Sequence, residues 1–474
     1  MEQKNTINSL SLQFVCNGGG DSIITRNAAE DVAVKVFLPA LEHLLDKYDP
    51  GDEIITIDRM VCDIDTAGEK LDKPLAEKII RELEKQLAEK VDILQSGRKA
   101  TPVRKRQADI LLFYLRNGFM PWFININSRN ELNGFLLKLI EDESSRANSS
   151  AIFEILRNDG AILRICNDFD EKLFWLFLQF LTGIGQNAVF NTWKEDHNTL
   201  AQHNSISAES RLMITHLYKR SLLKSILHNQ LSYGQLSAEK INEVFVKTFQ
   251  LDISVRSTVL VKQVSAVTAK GLLTNEALAE TFGNKTTKGS TNSEDEPKAE
   301  VIGDEDTMPD NEPVYINNSG LVIVAPYLNM FFKKTGVVDG NQITDTAKAI
   351  TLLHFMATGN DALAELEVVL PKLLCGVEPG FGIPAPYRLT QGDREAADEL
   401  LQSVIDNWAI LKNTSVEGLR TTFLMREGKL VFKDDTCHLK VQKTSVDVLL
   451  EYLPWNISMI KQPWMNRVLT VDWI

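Results

Sequence analysis

The stretch Phe174-Trp-Leu-Phe-Leu-Gln-Phe180 is apolar at every position except Gln179. Even with the flanking leucines, Leu173 and Leu181, it is far shorter than the roughly 20 apolar residues that a membrane-spanning helix requires. It ends in Leu181-Thr-Gly183, and a glycine at this place is typical of a helix C-terminus. We therefore predict a buried helix of a globular domain.

Two other apolar runs end in the same way, which extends the helical prediction along the chain. Ile110-Leu-Leu-Phe-Tyr-Leu115 is followed by Arg-Asn-Gly118, and Leu353-His-Phe-Met-Ala-Thr-Gly359 also closes on glycine. Between residues 105 and 282 such segments alternate with short polar breaks, which is the pattern of a helical domain. The endings do not recur at a fixed spacing, so they do not indicate a repeat architecture.

Residues 1–100 predict a small α/β module in front of these helices. The apolar positions Leu10, Leu12, Phe14 and Cys16 recur at every second residue, as in a half-buried strand. Further along the module we predict a helix, a second strand and a charged helix, at 32–45, 53–64 and 75–92. Pro39 is expected to kink or break the first of these helices.

Residues 283–312 differ in composition from the chain on both sides. They are rich in Thr, Ser, Lys, Asp, Glu and Pro and contain almost nothing apolar to bury. Apolar burial is needed to offset the entropy lost on ordering, so this segment predicts a flexible acidic and polar linker.

Residues 313–474 predict a C-terminal α+β domain with a Trp- and Pro-rich tail. Four helices are expected, near 321–334, 346–358, 362–375 and 394–411. Asp393 is the expected N-cap of the last one. Lys429-Leu-Val-Phe432 and His438-Leu-Lys-Val441 flank a turn and predict a β-hairpin. The fold class that follows for the whole chain is α+β and predominantly α-helical.

Composition indicates a globular protein. The chain has 474 residues, of which 44% are hydrophobic and 24% charged, so two or three domains with buried cores are expected. Its net charge of -13 disfavours unspecific binding to nucleic acid. The five cysteines lie far apart and form no CxxC pair, a pattern typical of a reduced cytosolic protein. We expect no signal peptide and no membrane span.

The sequence carries no motif of a known catalytic class, such as a phosphate-binding loop or HExxH. Gly183-Ile-Gly185-Gln-Asn-Ala188 matches the loose dinucleotide pattern GxGxxA, but it follows a predicted helix and not a strand, which favours a turn between helices. Asp58, Asp63 and Asp65 could face a metal ion, although the solvent side of an edge strand is the favoured interpretation. We therefore predict no catalytic, cofactor-binding or metal-binding residue, no cofactor, and no enzymatic activity.

Tryptophan next to proline is the more informative pattern. A large ring beside a fixed backbone angle occurs at Pro121-Trp122, Pro454-Trp455 and Pro463-Trp464-Met465. Packing at a domain edge is the favoured interpretation, but tryptophan is also a frequent anchor of protein interfaces. The alternative hypothesis is a partner-binding role for six residues: Trp122, Pro454, Trp455, Pro463, Trp464 and Met465.

The order of several short motifs resembles the family of contractile injection system tape measure proteins. In the first half the similar stretches are Phe37-Leu-Pro-Ala-Leu41, Ile57-Asp-Arg59 and Leu115-Arg-Asn-Gly-Phe-Met-Pro-Trp122. In the second half they are Asn318-Ser-Gly-Leu-Val-Ile-Val-Ala-Pro326, Leu352-Leu-His-Phe-Met-Ala-Thr-Gly359, Lys372-Leu-Leu-Cys-Gly376, Trp408-Ala-Ile-Leu-Lys-Asn-Thr-Ser415, Gly418-Leu-Arg420, Phe423-Leu-Met-Arg-Glu-Gly428, Leu453-Pro-Trp455, Pro463-Trp464-Met465 and Val471-Asp-Trp473. The resemblance is strong at both ends and weak at about 145–280.

The resemblance implies a structural role in building a phage-tail-like particle, in which the protein sets the length of the inner tube. The implied partners are tube, baseplate or tail-terminator proteins, with no nucleic acid and no membrane. The implied location is the cytoplasm during assembly, and then the interior of the particle. Because the sequence indicates folded domains and no sustained heptads, a folded assembly chaperone, cap or baseplate adaptor is a second hypothesis. A cargo effector loaded into the tube is a third.

Overall fold

The computed structural model describes residues 31–47, 53–54, 73–96, 101–124, 126–141, 149–184, 187–234, 236–267, 313–411, 413–433 and 435–473, with the single positions 7, 10, 57 and 60. They fall into two compact units, Met1–Asp109 and Ile110–Ile474. The predicted linker at 283–312, most of the first predicted strand and the three aspartates at 58, 63 and 65 lie outside the described residues. The division into four segments stays a prediction.

In the first unit two helices pack through apolar side chains. A π-helical turn, Ala33–Phe37, leads directly into α1, Leu38–Asp46, and α2 spans Lys73–Ser96. Pro39 lies in the first turn of α1, where its missing N–H is tolerated, directly after the π-helical turn. Two short strands, β1 Glu53–Ile54 and β2 Thr101–Pro102, pair in antiparallel fashion.

The second unit begins with a largely helical part, as predicted. Its helices are α3 Val103–Asn117 (which starts before the unit boundary), α4 Arg129–Glu141, α5 Ser149–Ile155, α6 Asp159–Asp168, α7 Glu171–Thr182, α8 Ala188–Gln202, α9 Ala208–Tyr233, α10 Ala238–Arg256 and α11 Thr258–Val267. Helix α7 contains the apolar run that begins at Phe174. The side chain of Asp170 caps α7 by accepting from the Leu173 N–H, and Gly183 closes it in a left-handed conformation, which confirms the predicted ending.

Aromatic side chains form much of the core of this helical part. Tyr218 on α9 is fully buried, and its ring centroid lies 4.8 Å from that of Phe245 and 5.2 Å from that of Phe249 on α10. The Tyr218 hydroxyl donates to the carbonyl of Trp193 on α8, so the buried phenol is satisfied. These contacts hold α8, α9 and α10 together.

The described residues of the C-terminal part of the same unit contain five α-helices and several short helical turns. The α-helices are α12 Leu328–Lys334, α13 Thr346–Thr358, α14 Val369–Leu374, α15 Gln391–Asn407 and α16 Val416–Leu419. The 3₁₀ segments are Ser319–Tyr327, Glu365–Glu367, Ala409–Leu411 and Ser445–Tyr452, and Arg420–Leu424 is a π-helical turn. The predicted helices at 321–334 and 362–375 are thus partly 3₁₀ segments.

The cap of α15 differs from the prediction by three residues. Thr390, and not Asp393, is the N-cap, because its hydroxyl accepts from the Asp393 N–H. Asp393 accepts in return from the Thr390 N–H at 3.0 Å, so the two residues form a reciprocal capping box. The predicted residue therefore takes part in the cap from the third helical position.

A five-stranded sheet covers one side of these helices. Its strands are β3 Pro313–Ile316, β6 Gly428–Lys433, β7 Thr436–Val441, β8 Met459–Ile460 and β9 Val468–Asp472, in the spatial order β3-β6-β7-β9-β8. The hairpin β6–β7 confirms the prediction, whereas the other three strands were not predicted. Strand β9 runs parallel to β7, and the remaining pairs are antiparallel. A separate two-stranded ribbon pairs β4 Val338–Asp339 with β5 Gln342–Ile343.

Candidate functional site

Five polar side chains of the second unit form a buried charged junction between its helical part and its C-terminal part. Each of them has a solvent exposure of 0%: Tyr114, Arg164, Asp168, Glu365 and Lys372. The first three lie on α3 and α6, and the last two lie on the 3₁₀ segment Glu365–Glu367 and on α14. We call this set the buried junction. Buried charges are tolerated only when they are paired and hydrogen-bonded, so its contacts decide its role.

Arg164 bonds to two distant segments of backbone. One guanidinium nitrogen donates to the carbonyls of Leu115 at 2.6 Å and Arg116 at 2.8 Å, and the other donates to the carbonyl of Gly380. Its Nε lies 3.9 Å from the Glu365 carboxylate. A planar guanidinium with donors in several directions is suited to this bridging. Arg164 therefore joins the end of α3 to the loop after α14.

Glu365 is the carboxylate at the centre of the junction. The Lys372 ammonium donates to Oε2, and the backbone N–H of Ile383 donates to Oε1 at 2.8 Å. The backbone N–H of Glu365 in turn donates to Asp168 at 3.2 Å. The Lys372 ammonium also donates to the carbonyl of Pro379 at 3.0 Å. Both the backbone N–H and the carboxylate of Glu365 are thus bonded to other parts of the unit.

Asp168 and Tyr114 complete the set on the helical side. The Tyr114 hydroxyl donates to the Asp168 carboxylate. Burial, and then the nearby charge of Glu365, raise the pKa of Asp168 to about 7. Burial and the charge of Asp168 raise the pKa of Tyr114 well above its ordinary value, and burial lowers the pKa of Lys372. Desolvation is therefore the largest cause of the pKa shifts of these three groups.

The backbone at Gly118 passes close to the side chains of Arg164 and Glu365, and this leaves room only for a glycine. Gly118 ends α3 with a φ of +78°, and a Cβ there would lie 2.7 Å from Nε of Arg164 and 3.1 Å from Oε2 of Glu365. A side chain at this position would thus be strained and would also press on the two charged groups. Gly118 belongs to the stretch Leu115–Trp122, one of the motifs on which the family resemblance rests.

The junction is suited to holding elements together and not to converting a substrate. All five side chains are buried, and their polar atoms bond to one another and to backbone groups, except that Nε of Arg164 has no hydrogen-bond partner and lies 3.9 Å from the Glu365 carboxylate. Removal of one partner would leave an uncompensated buried charge. Among the described residues no group of three or more His, Cys, Asp or Glu could hold a metal ion, and no helix is long and apolar enough to cross a membrane.

The predicted partner-binding residues of the tail lie against the C-terminal part, and two of the indoles are bonded there. The N–H of Trp455 donates to the carbonyl of Ile323 at 3.0 Å, and that of Trp464 donates to the carbonyl of Leu374 at 2.8 Å. Both rings are half-buried, whereas Met465 is buried. Pro454 and Pro463 are exposed. These contacts hold the tail on the domain, and binding to a partner stays a hypothesis.

Trp464 of the tail is also packed closely against the backbone after α14, whereas Trp122 lies elsewhere. Gly376 after α14 has a φ of +74°, and a Cβ there would collide with the carbonyl oxygen of Trp464. Trp122 lies elsewhere in the unit, after α3, where its half-buried ring packs edge-to-face on Phe123. The structure thus groups the tail residues but places Trp122 apart from them in the fold.

Sequence reasoning did not find the charged members of the junction. Their signal is a charge inside an apolar run, as in Ile162-Leu-Arg-Ile-Cys166 and Val369-Leu-Pro-Lys-Leu-Leu-Cys375. Such a charge is almost never fully buried without a partner, so a partner elsewhere in the chain could have been expected. For Arg164 the partner could not be read from the sequence, because Glu365 and Gly380 are far away in the chain, whereas Lys372 pairs with Glu365 only seven residues before it.

Comparison with known proteins agrees with the resemblance in the sequence. The family described as contractile injection system tape measure protein matches residues 4–473, which is nearly the whole chain. No curated protein and no solved structure gives a significant match. The family match confirms the prediction that was based on the ordered motifs.

Proposed function

The chain belongs to the family of contractile injection system tape measure proteins, and on this premise we propose that it governs the length of the inner tube through contacts with other proteins of the particle. The family is a structural one, and the proposal includes no enzymatic step. We place the protein in the cytoplasm during assembly and then inside the particle, in contact with tube, baseplate or tail-terminator proteins.

The observation that carries the proposal is the match over residues 4–473, since it spans both units of the structure. The family's name describes a length-setting role. A protein that set length by its own extension would need to be a long helix or an extended chain. At about 1.5 Å per residue, a fully helical chain of this size would reach roughly 700 Å.

A second candidate, a folded assembly chaperone, cap or baseplate adaptor, is favoured by the buried junction. Arg164 and Gly380 are bonded although they are 216 residues apart in the chain, and Asn167 donates to Ile383 across the same separation, at 2.9 Å. Extension of the chain into a ruler would break these contacts. As a folded protein, the chain would act on tube assembly without a fixed relation between tube length and residue number.

The two candidates are separated by lengthening the chain without disturbing its core. We would insert about 40 helix-forming residues into the β4–β5 turn, at Gly340, and in a second variant after the exposed Gly234. A ruler predicts that either insertion lengthens the tubes seen by electron microscopy by the same amount, about 60 Å if the insert is helical. A folded assembly factor predicts unchanged tube length in both variants.

The control for this experiment is a strain that lacks the protein. Tubes of normal number and length in that strain would contradict both candidates. Lengthening by only one of the two insertions would contradict the ruler, because a ruler measures total extension and not the position of the insert.

A further inference from the structure

Exposed apolar side chains are grouped where the tail meets the end of α15. Met330 on α12 is 72% exposed and Tyr452 is 61% exposed. Val448 and Ile410, which follows α15, are exposed as well. Single exposed apolar residues are normal on a protein surface, so the importance of these four depends on whether they share one surface.

Three contacts bring α12, α15 and the tail together. The Lys334 ammonium at the end of α12 lies 2.6 Å from the carboxylate of Glu399 on α15. Tyr327, directly before α12, accepts from the side-chain amide of Asn407 at 3.2 Å. The Tyr327 ring also packs edge-to-face on Trp455 of the tail, with 5.3 Å between the ring centroids. Met330 therefore lies on a surface that includes the end of α15 and the tail.

The 3₁₀ segment Ser445–Tyr452 joins the same surface from the other side of α15. The indole N–H of Trp408 donates to the carbonyl of Leu449 at 3.2 Å, and the 3₁₀ segment Ala409–Leu411 packs against Ser445–Tyr452. The residues that these contacts bring together are called the apolar patch, which consists of Tyr327, Met330, Ile410, Val448, Tyr452 and Trp455.

Two exposed carboxylates lie next to the apolar patch. Asp406 is one residue before Asn407 at the end of α15, and it accepts from the neutral amide of Gln402 at 2.9 Å. Glu451 follows Val448 by three residues, and side chains at this spacing are aligned in a 3₁₀ helix. The ion pairs between described residues of the C-terminal part include neither carboxylate. A partner on the patch could therefore supply cations to both.

We propose that the apolar patch is a docking surface for a basic amphipathic helix of another protein of the particle. The proposal rests on the assembly role proposed above, and it gives a role to Trp455, one of the predicted partner-binding residues. Such a helix can bury an apolar stripe on the patch and place lysine or arginine beside Asp406 and Glu451. Tyrosine, tryptophan and methionine, which form most of the patch, are residue types enriched in protein interfaces.

Charge favours a basic partner over a second copy of this chain. Two copies that each carry a net charge of -13 repel each other, whereas a basic partner is attracted. The surface near the patch also carries an exposed cation, Lys333 on α12, but the carboxylates of Asp406 and Glu451 outnumber it. The local charge and the charge of the whole chain thus favour the same kind of partner.

The test uses the full chain and a fluorescein-labelled peptide of about 18 residues, with leucines at i, i+3 and i+4 spacing and lysines elsewhere. Binding is followed by fluorescence anisotropy. Met330→Ser with Tyr452→Ser removes the two most exposed members of the patch. The control, Leu251→Ser with Val255→Ser, removes a similarly exposed pair on α10. Because the exposed Lys247 lies one turn before Leu251, the lysine-rich peptide should avoid that pair.

We expect the patch variant to weaken peptide binding about tenfold or more and the control to change it by less than about twofold. Equal weakening in both would overturn the proposal, because it would show a response to exposed apolar residues in general. Absence of binding by the unmodified chain would overturn it as well, and so would equal binding of a scrambled peptide without an apolar face. Dimers of the unmodified chain that the patch variant abolishes would overturn it in favour of a second copy.

A second pair of variants tests the carboxylates and keeps the apolar residues. Asp406→Asn with Glu451→Gln should weaken peptide binding about threefold or more, because two attractive charges are lost. The control, Glu195→Gln with Glu243→Gln, makes the same change in net charge at exposed positions on α8 and α10. Equal effects of the two variants would overturn the proposed role of local charge. Both substituted carboxylates are exposed, so this variant tests the patch even if the serine variant does not fold.

A measurement on particles separates this inference from the proposed function. Particles are counted, and their tube lengths measured, in cells that carry the patch variant or its serine control. Fewer particles with the patch variant alone support docking within the particle. Normal particles with the patch variant, despite lost peptide binding, overturn the assignment of the partner to the particle. The insertion experiment tests the length-setting role independently of either result.

Discussion

The guanidinium of Arg164 on α6 lies 3.9 Å from the carboxylate of Glu365, and neither side chain is exposed to solvent. The same carboxylate also accepts from the ammonium of Lys372. The Glu365 carboxylate thus balances the charges of two cations at a place that solvent does not reach. The helical part and the C-terminal part of the second unit are therefore joined by contacts whose loss is more costly than that of surface ion pairs.

Replacement of the central carboxylate should test this difference. Glu365→Gln leaves both cations without their counter-charge, and we expect the free energy of unfolding to fall by about 3–5 kcal/mol. Urea denaturation followed by circular dichroism measures the change. The control is Glu399→Gln, which breaks an ion pair with Lys334 whose two side chains are 59% and 67% exposed. Its expected effect is below about 1 kcal/mol, and equal losses would contradict a special role for the junction.

Two glycines in the same helix-ending conformation provide a matched pair. Gly118 and Gly234 have φ values of +78° and +67°, but only Gly118 has neighbours that a Cβ would meet. Gly234→Ala should reduce stability by about 1 kcal/mol, from backbone strain alone. Gly118→Ala should reduce it by at least about 1 kcal/mol more, because the methyl group displaces Arg164. Equal melting shifts for the two variants would show that the junction adapts without cost.

Loss of one indole N–H should reveal what Trp464 does. Trp464→Phe keeps an aromatic ring beside Phe332 but removes the donor to the Leu374 carbonyl. We expect a loss of about 1 kcal/mol in thermal unfolding, as for a typical hydrogen bond. The control substitution is Trp122→Phe, because the Trp122 ring also packs on a phenylalanine, Phe123. If Trp464→Phe left stability unchanged but reduced incorporation into particles, partner contact would be the better explanation for this residue.

Buried histidine should make the protein less stable in acid. Burial, and then the charge of Lys219, lower the pKa of His197 to about 4, below the ordinary value of 6.5. The unfolded chain therefore takes up a proton between pH 6.5 and about 4 that the folded chain does not, so stability falls as pH falls through this window. At pH 5 the loss is about 2 kcal/mol relative to pH 7.

The matching variant is His197→Phe, since the ring lies 5.7 Å from Trp175 and 5.5 Å from Tyr218 in an aromatic environment. We expect its stability to fall less between pH 7 and pH 5 than that of the unmodified chain, by about 2 kcal/mol. Asp168 opposes the histidine effect in both proteins, because its pKa is raised to about 7 and its folded form holds a proton that the unfolded form loses. Identical pH profiles would show that His197 does not titrate on unfolding.

The helices and strands that could be predicted from the sequence are those that depend on residues close together in the chain. The run from Phe174 to Phe180, its glycine ending and the hairpin β6–β7 depend on periodicity and turn residues over about ten positions. The cap of α15 was missed by three residues, because Thr390 and Asp393 satisfy the same local rule in both directions. Strands β3 and β9 were missed because each is short and pairs with a strand far away in the chain, and β8 was missed because it has only two residues.

The sequence by itself determined the fold class, the positions of most long helices and, through its ordered motifs, the family. These follow from local propensity and from the order of residues, which the chain carries before it folds. Only the tertiary structure decided that Arg164 bonds to the backbone of Gly380, that the tail is held by the indoles of Trp455 and Trp464, and that β9 lies beside β7. The physical reason is that burial and pairing depend on which distant segments meet, and a charge in an apolar run shows that it needs a partner without showing which one.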